Sequence, residues 1–272
     1  MSRPLSYAAE WSREVGRRRT TWILVVVLAL PAIFVGAFAL DTGSPGAATG
    51  SRFVDIATLG AANFTAFSLL VAAELLVFIL AALLVGDPVP TEASWSSLRY
   101  LLTAPVGRAR LLTSKLAVGL THVLLVLIIL PAWSFLIGSA AYGLAPLSIP
   151  GGGTLSNGDL LPRLVVAIGY LFVAVLPIAG LAFLIGVGSQ TPLAAVGGAL
   201  VVYIVSGILD TIDALGSWRN GLPGHYARAW LDLLQPTIDW TAMRHGLLWS
   251  LLWGLALFAL GYWRFARRDV LS

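Results

Sequence analysis

The sequence has no cysteine and a single lysine, Lys115. Without cysteine there can be no disulfide, thiolate metal site or cysteine nucleophile. The lone lysine stands between Ser114 and Leu116, so no Gly-Lys-Ser/Thr occurs and a Walker A phosphate loop is excluded. The only histidines, His122, His225 and His245, share no ligand spacing, and no metal site is expected. No Ser/His/Asp arrangement is legible, so no catalytic residue is assigned. Charge is scarce too: 11% of residues are Asp, Glu, Lys or Arg, against roughly 25% in soluble domains.

What fills the chain is apolar. Of 272 residues, 58% are hydrophobic, and the mean hydropathy is +0.88. A helix crosses the hydrocarbon core with about 20 mainly apolar residues, because every backbone polar group must be paired internally there. Six segments qualify: Thr21–Leu40, Leu59–Gly86, Leu116–Gly143, Leu161–Val187, Leu193–Leu209 and Leu247–Phe265. The expected fold is an all-α membrane protein, one six-helix transmembrane domain over 1–272 with no room for a soluble catalytic domain. The run GRRRTTWILVV faintly resembles a cleavable signal, but its apolar stretch exceeds a signal core, so a retained span is expected.

A pI near 9.8 suggests nucleic acid only if the cations share a soluble surface, and they do not. Of the 17 Lys and Arg residues, 12 fall before the first span, between the second and third, or at the end of the last span and beyond it. By the positive-inside rule those regions are expected to be cytoplasmic. Arg52, Arg163, Arg219, Arg228 and Arg244 remain for the other side.

Residues 1–19 read as an interfacial helix, with Leu5, Tyr7, Ala8, Trp11 and Val15 near one face and charges largely elsewhere. The IPGGGTLSNGD segment in 144–160 reads as a flexible loop, lacking the lysine of a phosphate cradle. The turn GSQTP (Gly188–Pro192) makes the fourth and fifth spans antiparallel neighbours. Pro177 should kink the fourth span, with Gly169, Gly180 and Gly186 marking helix contacts. In 210–243, Pro223 and Pro236 divide two short helices, re-entrant or interfacial, and Trp218, Tyr226, Trp230 and Trp240 suit the headgroup layer.

The interval 87–115 is the most informative. Asp87-Pro88-Val89-Pro90 is expected to end the second span. TEASWSSLRYLLTA then reads as a short amphipathic helix with Thr91 as N-cap and Glu92 favourably placed on its dipole. Trp95, Leu98, Leu101 and Leu102 share its apolar side, and Pro105 stops it. Arg99, Arg108, Arg110 and Lys115 crowd the same interval. On the residues alone, these cations serve either topology and anionic lipid or the docking of a partner.

A Glu, a short helix, Leu-Leu-x-x-Pro-Val-x-Arg and Leu-Leu-x-x-Lys resemble the signature loop of the ATP-binding-cassette type 2 permeases. The matching residues are Glu92, Leu101, Leu102, Pro105, Val106, Arg108, Leu111, Leu112 and Lys115. The six-span layout, interfacial first helix and long last outer loop are similar as well. A departure lies at Ser96-Ser97, where many members carry glycine. The resemblance implies a coupling helix, formed by Glu92, Trp95, Leu98, Arg99, Leu102, Pro105, Arg108 and Arg110, docked on a separate ATPase. It implies two such ATPase subunits holding ATP and Mg, no cofactor in this chain, and a second permease copy or a related permease. It further implies export of a hydrophobic, amphipathic or lipid-like compound across a bacterial cell membrane, with no nucleic-acid partner. An ion-driven transporter or a membrane anchor for a cytoplasmic partner is the alternative.

Within the spans Glu74 is the one acidic residue at depth, and such residues usually face a bundle interior or a water-filled path. Asn63 precedes it by about three turns with Phe67 between, which predicts one polar-aromatic seam along a straight helix. Glu74 then either touches substrate or a proton in a dimer cavity, or is hydrogen-bonded and holds helices together.

Overall fold

A computed structural model describes residues 6–40, 53–94, 108–150 and 152–267. Six helices are long and apolar enough to cross a membrane: Arg18–Leu40, Ala61–Glu92, Ala109–Tyr142, Asn157–Gly188, Pro192–Asp210 and Thr241–Arg267. Each contains or closely overlaps an expected span, most running several residues beyond it. Six crossings bring both ends of the chain to one end of the bundle, called proximal below. The second span is the most buried; the first, fifth and sixth are largely exposed along their apolar faces.

The second span does not end at the Asp87-Pro88-Val89-Pro90 stretch. It bends at Asp87 and resumes as Pro88–Ser94. Both prolines sit in the first turn of the new segment, where backbone N–H groups have no intrahelical partner and their loss costs nothing. Asp87, not Thr91, caps this turn. Its carbonyl accepts from the Thr91 N–H at 3.1 Å, and its carboxylate accepts from the Thr91 hydroxyl at 2.6 Å.

The fourth span breaks at Val175, and Pro177 starts its second half, Leu176–Gly188. That half packs against the second, fifth and sixth spans. Contact with the second is backbone on backbone: a Cβ at Gly186 would lie 2.4 Å from the Gly86 carbonyl oxygen. Gly180 lies against the sixth span, where a Cβ would meet Leu257 at 3.0 Å, whereas Gly169 faces open space and makes no helix contact. Gly186→Ala is therefore expected to destabilise the bundle by about 1–3 kcal/mol, because backbone rather than a side-chain tip must yield. Thermal unfolding in detergent reads this, with Gly169→Ala as the neutral comparison.

At the distal end the expected flexible loop is a short hairpin, with Leu147 paired to Leu155 and Ser148 to Thr154. Gly152 and Gly153 take φ of +112° and +98°, conformations that favour glycine in its turn. Buried Leu147 and Leu155 anchor it. Asn63 of the second span binds it as a further strand would, its amide donating to Ser148 O at 2.8 Å and its carbonyl accepting from Ser148 N at 3.0 Å.

The segment between the fifth and sixth spans re-enters the bundle as two 3-10 pieces, Asp213–Gly221 and Ala229–Leu234. Trp253 donates its indole N–H to Gly221 O at 2.8 Å. Trp253 lies twelve residues past Thr241, so Gly221 reaches about 18 Å down the sixth span. Ser206 holds Pro223 O at 2.8 Å, and Arg163 holds the carbonyls of Leu233 and Gln235 at 2.8 and 2.6 Å. Trp218 and Trp240 are exposed as an interfacial position requires, but Trp230 is fully buried and packs inside instead of in the headgroup layer. Asp239 accepts the Thr241 N–H ahead of the sixth span, and that bond holds its carboxyl below the usual range.

Candidate functional site

The amino-terminal helix Tyr7–Val15 begins on Ser6, whose hydroxyl accepts from Ala9 N at 3.3 Å. Glu10 and Glu14, one turn apart, face inward and are buried, while Tyr7 and Val15 stay exposed. The charged side of this helix is thus turned into the bundle, the reverse of a simple amphipathic layout. Glu10 meets Lys115 of the third span at 3.1 Å. Lys115 also meets Glu92, at the end of the second span, at 2.5 Å. Arg13 stands 3.1 Å from Glu10 and 3.7 Å from Glu92. Lys115 and Glu92 are each only 4% exposed.

A second group continues the first. Arg19 pairs with both Glu14 and Asp87, Arg17 lies 3.5 Å from Glu14, and Thr20 donates to Glu14 O at 2.6 Å. Four acidic and four basic side chains therefore join three elements at the proximal end: the amino-terminal helix with the start of the first span, the end of the second span, and the start of the third. This satisfies charges that the low-dielectric interior would not tolerate singly. Segment 95–107 leaves and returns between two of these elements. Trp95, Leu98, Arg99, Leu102 and Pro105 fall in 95–107, outside the described residues, as does the side chain of Arg108. Arg110 is described and exposed. Glu92 is buried and faces inward to Lys115.

A cavity of about 350 Å³ opens beside Glu74, between the second span, the fifth span and the re-entrant segment. Its wall carries one ion pair and one carboxylate–histidine contact. Glu74 meets Arg228 at 2.6 Å, and Asp210 pairs with His225. Tyr203, stacked on Phe78 with ring centroids 4.4 Å apart, supplies the adjoining aromatic surface, and Leu70 and Trp230 add apolar area.

The expected seam is not continuous. Residues Ala72–Leu76 form a π-turn, with the Val77 N–H bonded to Ala72 O, and the extra residue turns the helix face by about 100°. Asn63 is consequently buried on the hairpin, and Phe67 packs edge-on against Phe34 and Phe38 with centroids 5.3 Å away in each case. Of the three seam residues only Glu74 reaches the cavity.

The sequence reading missed Glu10, Arg13, Glu14, Arg19 and Asp87 in one site and Arg228, Asp210 and His225 in the other. One signal was available. Glu10 and Glu14 stand among Arg13, Arg17, Arg18 and Arg19 in the sequence. Among the described residues no three His, Asp or Glu side chains gather as a metal site.

Comparison with curated proteins gives no match. The family model described as ABC-2 family transporter protein matches residues 15–206. That stretch begins at the end of the amino-terminal helix, includes the Glu92–Lys115 pair and the segment it encloses, and runs into the fifth span. With well over half of the chain matched, and with six helices long and apolar enough to cross a membrane, the chain belongs to the ABC-2 family of transporter membrane proteins.

Proposed function

We propose that the chain is the permease subunit of an ABC exporter, relaying ATP hydrolysis by a separate ATPase subunit to the movement of a hydrophobic, amphipathic or lipid-like compound. Family membership supports association with an ABC ATPase in general. In this reading ATP and Mg belong to that partner, in keeping with the lack of a Walker A loop in this sequence.

The observation that carries this reading is the buried Lys115 cluster. It ties the second span, the third span and the amino-terminal helix to one another at the base of 95–107. A push on the intervening segment is therefore delivered to all three together instead of bending one stem. In this scheme Trp95, Leu98, Arg99, Leu102, Pro105, Arg108 and Arg110 dock on the ATPase. Glu92 is a positioning residue that acts through Lys115.

Two permease copies, or this one with a related permease, work beside two ATPases. The exposed apolar faces of the first, fifth and sixth spans are consistent with lipid and a second permease around the bundle. The excess of arginine at the proximal end supports cytoplasmic termini in a bacterial cell membrane. The Glu74 cavity, with charge on one wall and apolar surface on the other, fits an amphipathic compound.

Co-purification from the native membrane tests the scheme. Wild type is expected to bring an ATPase subunit, and Arg108→Glu combined with Arg110→Glu is expected to lose it or to leave its ATPase activity unresponsive to the permease. A wild-type chain that purifies alone from gently solubilised membranes overturns the reading.

A further inference from the structure

A second cavity, also about 350 Å³, runs between the amino-terminal helix, the first span and the third span, away from the Glu74 site. Its proximal mouth is marked by Trp11, Thr20, Thr21 and His122, and its depth is lined by aliphatic side chains such as Val27 and Ile129. Trp11 packs at a tilt against His122 with centroids 4.5 Å apart, so the two rings form one wall of the mouth. From Thr20 to Val27, and from His122 to Ile129, the groove follows its helices for seven residues, or about 10 Å. That is about two thirds of one leaflet's hydrocarbon depth, taking the core as about 30 Å.

The mouth is cationic. Arg17 and Arg19 share Glu14, and Arg19 also meets Asp87. Arg18 lies in the chain between Val15 and Thr20, both of which line the groove. It is exposed and has no ion-pair partner among the described residues. A polar, positive mouth above a narrow aliphatic trough is complementary to an anionic headgroup with a hydrocarbon tail.

We propose that this groove holds one acyl chain of an anionic phospholipid from the proximal leaflet, with its headgroup against Arg18. The site would fasten the amino-terminal helix to the first and third spans through the lipid. It is independent of the substrate cavity and of any ATPase.

Native mass spectrometry of the detergent-purified full chain tests this, using phosphatidylglycerol and phosphatidylcholine with identical acyl chains. Wild type is expected to hold one phosphatidylglycerol in preference to phosphatidylcholine by about fivefold, the effect of one cation near the surface. Arg18→Gln should remove the headgroup preference. Leu24→Trp fills the trough from an exposed position lining it and should remove the tight site for both lipids. Val25→Trp, on a neighbouring exposed position that does not line the trough, should leave binding unchanged and shows that a tryptophan on this helix is tolerated. Preference that survives Arg18→Gln, binding that survives Leu24→Trp, or equal occupancy by the two lipids in wild type overturns the proposal.

Discussion

Lys115→Met is expected to cost about 3–5 kcal/mol of stability, the range for removing one partner from a buried ion pair. Methionine keeps most of the side-chain volume, so the loss comes from charge and not from a cavity. Without the ammonium, Glu10 and Glu92 face each other in an enclosed space, with the half-exposed Arg13 as their nearest remaining counter-charge. Adding Glu10→Gln and Glu92→Gln to Lys115→Met should recover most of the loss, because a buried charge group replaced as a whole by neutral side chains of similar volume is nearly neutral in energy. The difference between the single and triple variants isolates the coupling. In a scanning measurement on detergent-solubilised protein, the single variant should melt about 10 °C below wild type. A midpoint within a degree of wild type would remove the cluster from the account of the fold. If the triple variant regains the midpoint but its partner ATPase no longer responds to transported compound, the charges serve coupling as well as stability.

How much of this was legible depends on the range over which each feature is determined. A span is written in about twenty consecutive residues, and all six could be read. The short turn Gly188–Pro192 likewise fixed the fourth and fifth spans as neighbours. The partners of Lys115 could not be read, since Glu10 lies 105 residues away and nothing local selects it over other acids. Arg228 looked like a stray distal cation because its pairing with Glu74 requires the re-entrant path of 213–234, which only tertiary packing sets. Pro88 misled for another reason: proline breaks a helix interior but is welcome in a first turn, and the sequence does not say which applies when a bend precedes it. The π-turn at Ala72–Leu76 has no sequence mark at all, yet it alone moves Glu74 off the face of Asn63. Residues 95–107 were legible as a pattern of residue types and spacing, and the docking proposed for them is argued from that pattern and from the two stems.

The Glu74–Arg228 pair separates bracing from substrate contact. Both side chains line the cavity and remain accessible from it, at 44% and 70%, so their attraction is screened and bracing alone should be modest. Glu74→Arg sets two guanidinium groups together and Arg228→Glu sets two carboxylates together. Each should lower transport in reconstituted vesicles by at least about tenfold, a coupling change of about 1.4 kcal/mol or more. The double variant, Glu74→Arg with Arg228→Glu, restores the attraction while reversing the polarity that a compound in the cavity would meet. We expect it to recover the unfolding midpoint lost by the singles but not transport, because an amphipathic substrate is oriented by the charge it faces and not by the strength of the bond behind it. Glu74→Gln should agree, leaving expression and assembly intact while transport falls. If the double variant transports as wild type does, the pair is a brace holding the re-entrant segment against the second span, and the substrate passes elsewhere.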